Sequence, residues 1–215
     1  MFTGIIEHLG TIKKLSLDEQ GGRITVHAPS LATSLAVSAS IAVNGCCLTI
    51  VACDKESFST DLSPETLNKT TFSSLCEGDR VNLEQPLTAG KEFGGHFVLG
   101  HVDGTGAVGA MDPEGDSWRY SVRVPPEIAK YVVPKGSITV DGISLTVAHW
   151  ENNVAEISVI PFTYEHTNIR DRHPGEAVNL ESDVLGKYTE QHLEARANRA
   201  AKTPISLQDL VSQGF

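Results

Sequence analysis

Few side chains in this sequence are suited to chemistry, and they fall at paired positions. The run Asn44-Gly45-Cys46-Cys47-Leu48-Thr49 carries a thiol pair just after a turn, and Asp141-Gly142-Ile143-Ser144-Leu145-Thr146 carries a hydroxyl pair in the same setting. Side chains alternate across a strand. Cys47 and Thr49 therefore share one face with Val51, and Ser144 and Thr146 share the corresponding face. Cys46, Leu48 and Ile50, like Ile143, Leu145 and Val147, form an apolar face expected in a core. The small polar face suggests a ligand rim, although an ordinary solvated face would look the same. His101 stands in Leu99-Gly100-His101-Val102, opposite Ile5 in the earlier Gly4-Ile5-Ile6. An imidazole suits proton transfer near neutral pH. Lys135 against Ser38 is a similar unequal pair. His96 and His101 lie five apart, which does not place two ligands on one helical face, so no metal site is expected. Gly104-Thr-Gly-Ala-Val-Gly109 fits a dinucleotide fingerprint, but the following Met111-Asp112-Pro113-Glu114-Gly115 opposes the helix that fingerprint needs, so the match is read as chance.

The pairing reflects an internal duplication. Ser40–Ile50 and Ser137–Val147 agree at six of eleven positions, 97 residues apart, and Gly78–Glu84 and Gly175–Glu181 agree at five of seven with the same offset. Pro64, Thr66 and Thr70 pair with Pro161, Thr163 and Thr167, and Gly4-Ile-Ile-Glu lines up with Gly100-His-Val-Asp at an offset of 96. Two repeats are too few for a solenoid, so two similar units are expected, meeting near Gly94-Gly95-His96. Arg23–His27, Ser57–Leu62, Arg80–Glu84 and Trp118–Val124 read as strands, and Asn44-Gly45 and Asp141-Gly142 as tight hairpin turns. Many short strands at even spacing predict an all-β protein with a small barrel in each half. Short helices are expected at Ser30–Ala36 and Pro126–Tyr131. After Ser182 or Asp183, Val184, Leu185, Tyr188, His192 and Ala195 fall at helical spacing, in a segment with no counterpart after the first repeat.

The 215 residues carry a formal net charge of -10 without a lysine or arginine cluster, which argues against a nucleic-acid partner. A neutral small molecule fits better. No apolar run is long enough for a membrane span, and Met1–Glu7 lacks the features of a signal peptide, so a cytoplasmic location is expected. Cys46, Cys47, Cys53 and Cys76 include no Cys-x-x-Cys pair, which argues against a disulfide framework or structural zinc. Cys46, Cys53 and Cys76 are expected to be small buried apolar residues.

The opening Met1-Phe2-Thr3-Gly4-Ile5-Ile6, the two hairpins, Gly94-Gly95-His96 and Gly100-His101-Val102 together resemble the riboflavin synthase family, in register over nearly the whole chain. The resemblance implies two six-stranded Greek-key barrels at 1–97 and 98–182, each binding a lumazine, and a C-terminal helix and tail at 183–215 that joins three subunits. It implies that one 6,7-dimethyl-8-ribityllumazine donates four carbons to a second, giving riboflavin and 5-amino-6-(D-ribitylamino)uracil. The acidic 7-methyl group supplies the carbanion, so no cofactor and no metal are needed. The working site is implied to join the N-terminal barrel of one subunit to the C-terminal barrel of its neighbour, and association with lumazine synthase is a further implied partnership. Carried over by motif, one pocket uses Gly4, Ile5, Ile6, Ser40, Cys47, Leu48, Thr49, Asp61, Leu62, Ser63 and Thr66. The other uses Gly100, His101, Val102, Lys135, Ser144, Leu145, Thr146, Ile160, Pro161, Phe162 and Thr163. His101, Cys47 and Ser40 are the catalytic candidates, with His101 moving the proton and Cys47 supporting the ring. Phe162 and Tyr164 stand where the family is expected to be more polar. The rival reading is a non-catalytic lumazine- or flavin-binding protein of the same fold. A flavin reductase would need a nicotinamide-binding domain, and none is visible.

Overall fold

The computed structural model describes residues 1–201, with side chains to 197. The expected tail beyond 201 lies outside the described residues. In the first half, β1 (His8–Asp18), β2 (Gly21–His27), β3 (Ser40–Val43), β4 (Cys46–Cys53), β5 (Ser57–Leu62) and β6 (Arg80–Glu84) close into a barrel in the order β1-β2-β5-β4-β3-β6. Two short helices, α1 (Pro29–Ala32) and α2 (Pro64–Lys69), lie between strands.

The second half repeats this order through β7 (Gly104–Glu114), β8 (Ser117–Arg123), β9 (Ser137–Val140), β10 (Ile143–Thr146), β11 (His149–Glu151), β12 (Val154–Val159) and β13 (Ala177–Ser182), with helices α3 (Pro126–Ala129) and α4 (Pro161–His166). It curls into a seven-stranded sheet, β10-β9-β13-β7-β8-β12-β11, rather than a closed six-stranded barrel. The reason is local. Where β4 shifts register against β5 between Ile50 and Ala52, the second half breaks at Val147-Ala148, and β10 and β11 stand where β4 runs unbroken. α5 (Val184–Ala201) follows.

The alternation in β4 is as the sequence predicts: Cys46, Leu48 and Ile50 point into one core, and Ile143 and Leu145 into the other. Deleting methylenes at such buried positions typically costs about 2–5 kcal/mol. The segment Gly104–Gly109 is strand, in line with its rejection as a nucleotide loop. α1 and α3 are shorter than the runs expected, and α1 ends at Ala32 with Thr33 as its cap.

A buried polar knot fixes the halves to each other with two-fold pseudosymmetry. The Asn82 amide donates to the Asp141 carbonyl (2.8 Å), and the Asn179 amide to the Asn44 carbonyl (2.9 Å). The Asn44 and Asp141 side chains in turn accept from the backbone N–H of Asn82 and Asn179. The Asn179 side chain accepts from the Thr71 N–H, and that of Asn82 from the Asn168 N–H, both at 2.8 Å. Every member is buried, so these bonds must be made internally.

Candidate functional site

The two hairpins meet segments from the opposite halves. The Cys47 N–H donates to the Gly100 carbonyl at 2.8 Å, and the Ser144 N–H to the Gly4 carbonyl at 2.7 Å. An isolated antiparallel bridge between Phe2 and Val98 holds the two glycine segments side by side. The grouping by motif is therefore crossed. Gly100-His101-Val102, expected with Ser144, sits on the first barrel beside Cys47, and Gly4, expected with Cys47, sits beside Ser144. The reason is that each half begins with a segment that reaches over the other half before its own barrel starts.

A cavity of about 620 Å³ results on the first barrel, lined by Cys46, Cys47, Glu65, Thr66, Lys69, Thr70, the stretch Leu99–Asp103 and Lys187. It brings Cys47, Thr66, Gly100, His101 and Val102 together, with Cys47 half-buried and His101 exposed. Burial pushes the neighbouring Cys46 thiol up to about 12, which leaves it inert in the wall. Lys187 comes from α5, so the C-terminal helix supplies part of this wall.

On the Ser144 side the structure adds a residue not singled out for the pocket. His96 is buried, with Nδ1 sharing a hydrogen bond with Ser144 Oγ (2.7 Å) and Nε2 with Thr139 Oγ1 (3.1 Å). Burial pushes its pKa below the usual histidine value, which favours the neutral ring. The duplication places Ala42 opposite Thr139, and Ala42 packs with Phe2, Val98 and Cys47 instead. One half thus offers a thiol packed on Phe2, Ala42 and Val98 and the other a hydroxyl on an imidazole. The rims differ as well. Ser63, Glu65 and His101 at the Cys47 side stand where Ile160, Phe162 and Ile5, all exposed, stand at the Ser144 side.

Other expected residues are placed elsewhere. Ser40 pairs with Thr49 across β3 and β4 but lines a separate 350 Å³ cavity with Ala39, Gln85 and Lys91. Asp61 is exposed and ion-paired with Arg23 at 2.6 Å. Ser63 caps α2, accepting from the Thr66 N–H at 3.1 Å, so its oxygen is already engaged. Leu48, Leu62 and Leu145 are buried in the barrel cores and present no side chain to a pocket. Thr146 is exposed opposite Ser137, and Lys135 is exposed in a left-handed turn (φ 66°). Pro161, Phe162 and Thr163 begin α4, where Phe162 stacks on His166 and Tyr164 on Trp118. Cys53 and Cys76 are exposed, contrary to the buried role expected, because they lie at the end of β4 and in the turn before β6. Among the described residues no group of three His, Cys, Asp or Glu side chains could hold a metal ion.

The missed signal was in the repeat itself. Glu84 and Glu181 are matched, and both are buried beneath the glycine segments. Glu84 accepts from the N–H groups of Thr3 (2.7 Å) and Gly4 (2.9 Å), and Glu181 from those of Leu99 (2.7 Å), Gly100 (3.0 Å) and His101 (3.1 Å).

Comparison with known proteins bears on this geometry. The Lumazine binding domain family matches the chain twice, over residues 3–86 and 99–183. A riboflavin synthase of Actinobacillus pleuropneumoniae is 39% identical over 215 residues, covering all of both chains. That of Bacillus subtilis is 37% identical over the same span, and one of Mycobacterium tuberculosis is 42% identical over 89% of this chain and 97% of its own. Among solved structures, LumP complexed with riboflavin superposes with a TM-score of 0.80 at 26% identity, covering 85% of this chain and 99% of that one. LumP complexed with 6,7-dimethyl-8-(1'-D-ribityl) lumazine gives 0.78 at the same identity and coverage.

Proposed function

This chain belongs to the lumazine-binding riboflavin synthase family, and we propose that its two crossed pockets each hold one substrate. The enzyme is a transferase that makes riboflavin from two molecules of 6,7-dimethyl-8-ribityllumazine by four-carbon transfer, releasing 5-amino-6-(D-ribitylamino)uracil. Two copies of one substrate call for two related pockets with different chemistry, and the pairing of Cys47 with Gly100 and Ser144 with Gly4 supports that reading most directly.

In this reading His101 moves the proton of the substrate's 7-methyl group on the first barrel, and Cys47 packs beside the ring. Holding both reacting molecules in place removes much of the entropic barrier. Donor and acceptor meet where the first barrel of one subunit faces the second barrel of its neighbour, in a homotrimer joined through α5. The exposed Leu185 and Leu193, beside Val133 and Tyr131 in a cavity of about 460 Å³, support a contact there. A cytoplasmic location and association with lumazine synthase complete the proposal. Among the described residues no helix is long and apolar enough to cross a membrane.

Incubation of the purified, chelator-treated protein with the lumazine alone is the test. Riboflavin should form from two lumazines per product. His101→Ala should lower turnover more than lumazine affinity, and Cys47→Ser should do less harm. Complete loss in a folded Cys47→Ser variant would make the thiol a nucleophile, and tight binding without turnover would overturn the pocket assignment.

A further inference from the structure

The buried carboxylates under the glycine segments belong to a larger unit that occurs twice. In the second half, Asp103 accepts from the Ser182 N–H and hydroxyl (both 2.8 Å) through one oxygen and from the Lys187 ammonium (2.6 Å) through the other. Ser182 follows Glu181, whose carboxylate holds the N–H groups of Leu99, Gly100 and His101. In the first half, Glu7 accepts from the Gln85 N–H (2.9 Å) through one oxygen and from the Lys91 ammonium through the other. Gln85 follows Glu84, which holds Thr3 and Gly4. Glu84 and Gln85 pair with Glu181 and Ser182 at the offset of 97. Glu7 and Lys91 pair with Asp103 and Lys187 at 96, the offset of the glycine segments. The lysine stands on the connection between the halves in one copy and on α5 in the other. α5 is therefore no simple appendage: its Lys187 occupies a position that the first repeat also fills.

We propose that Lys187, Asp103 and Glu181 form a positioning relay for riboflavin formation, fixing the Leu99–His101 segment against Cys47, and that Lys91, Glu7 and Glu84 do the same for Gly4 against Ser144. The proposal rests on the reading that the Cys47 cavity holds substrate. The relay links α5 to the cavity through side chains that need not touch the reacting atoms. Three backbone N–H groups converge on Glu181, and an ionised carboxylate satisfies them all, whereas a protonated one gives up an acceptor site. The charged and titratable groups around Glu181 are Asp103, Lys187 on α5, the Cys46 thiol on β4 and His101 on the held segment. Burial is the main influence and pushes the Glu181 carboxyl up to about 7, with Lys187 opposing and Asp103 reinforcing it.

Activity and stability should then respond to pH in opposite directions. The carboxylate that orders the segment forms as pH rises through about 7, so kcat/KM should rise there. Because burial raises the folded pKa, the stability linked to Glu181 is fully present below its ordinary 4.5 and is lost as pH rises through about 7. A purely structural role would move activity and stability together.

The test is carried out on the full chain with riboflavin formation, lumazine titration and thermal melting from pH 5.5 to 8.5. Glu181→Gln should lower kcat/KM about tenfold at pH 8 and remove the acid limb, as expected for losing one charge-assisted acceptor. Lys187→Met should shift the acid limb to higher pH, and Lys187→Arg should restore it. If Glu181→Gln does not fold, Lys187→Met, at a half-buried position on α5, carries the test. An acid limb unchanged in both variants of an active enzyme overturns the relay. A wild-type chain that binds lumazine without forming riboflavin overturns the pocket reading instead.

Discussion

Gly100 presses against Cys47 of the other half so closely that a Cβ on Gly100 would stand 2.6 Å from the Cys47 Cβ. Gly4 bears the same relation to Ser144, also at 2.6 Å, and the two glycines have φ of 79° and 77°. Either substitution to alanine meets a steric block and a left-handed backbone, a strain of about 1–3 kcal/mol before the clash is counted. Gly100→Ala should lose the site beside Cys47 and keep the site beside Ser144, and Gly4→Ala the reverse. Lumazine stoichiometry by titration, with protection of Cys47 from alkylation to identify the surviving site, checks this. Loss of the Ser144 site in Gly100→Ala would mean that the pockets are not crossed.

His96 anchors the second site. Its removal leaves the Ser144 and Thr139 hydroxyls without the ring between them, so His96→Ala should cost about 1–3 kcal/mol of stability and reduce turnover. The depressed pKa gives a sign: stability linked to neutral His96 is fully present above the ordinary 6.5 and is lost as pH falls through the lower folded value. Melting curves of wild type and His96→Ala should therefore converge as pH falls. A gap that widens in acid would contradict the neutral ring.

Much of this was open to sequence reading, for a physical reason. Alternation along a strand is local, so the inward Leu48 and outward Cys47 follow from adjacent residues, and the duplication doubles the signal. The crossing of Gly4 and Gly100 could not be read that way, because which half a segment covers depends on packing between residues far apart in sequence, Gly100 with Cys47 and Gly4 with Ser144. His96 meets Ser144 across 48 positions and has no matched partner in the first repeat. The Glu84 and Glu181 match was plain, yet a repeated strand end gives no sign that its carboxylate turns inward to hold a loop. The break at Val147-Ala148 was hidden for another reason: it replaces a register shift, which leaves no fixed residue signature.

The knot between the halves carries a built-in control. Buried Asp141 pairs at 2.6 Å with half-buried Arg172, whereas the duplication places neutral Asn44 and apolar Leu75 at the matching positions. Arg172→Leu alone should cost about 3–5 kcal/mol by leaving a buried carboxylate unpaired. Asp141→Asn with Arg172→Leu copies the first half and should recover most of that loss. Chemical denaturation of the four proteins in the cycle measures it. A double variant as unstable as Arg172→Leu would mean that the ion pair, and not the geometry of the knot, holds the halves together.

α5 combines two roles that point variants can separate. Lys187 lines the Cys47 cavity, whereas Leu185, Tyr188 and Leu193 are 58%, 66% and 58% exposed. Of the predicted stripe, Leu185, Tyr188, His192 and Ala195 are exposed and Val184 is half-buried, so Leu185 and Tyr188, together with Leu193 outside the stripe, need another surface. Removing residues 183–215 would abolish the apolar face and the cavity wall together and could not distinguish them. Leu185→Asp with Leu193→Asp leaves Lys187 in place and puts two charges into the proposed subunit contact. That variant should sediment as a smaller particle, bind lumazine beside Cys47 as the wild type does, and form riboflavin at least about tenfold more slowly, the scale expected when proximity of two reactants is lost. Sedimentation, lumazine titration and turnover on one preparation decide it. A smaller particle with full activity would show that donor and acceptor meet within one chain, and an unchanged particle would show that these leucines do not hold the subunits together.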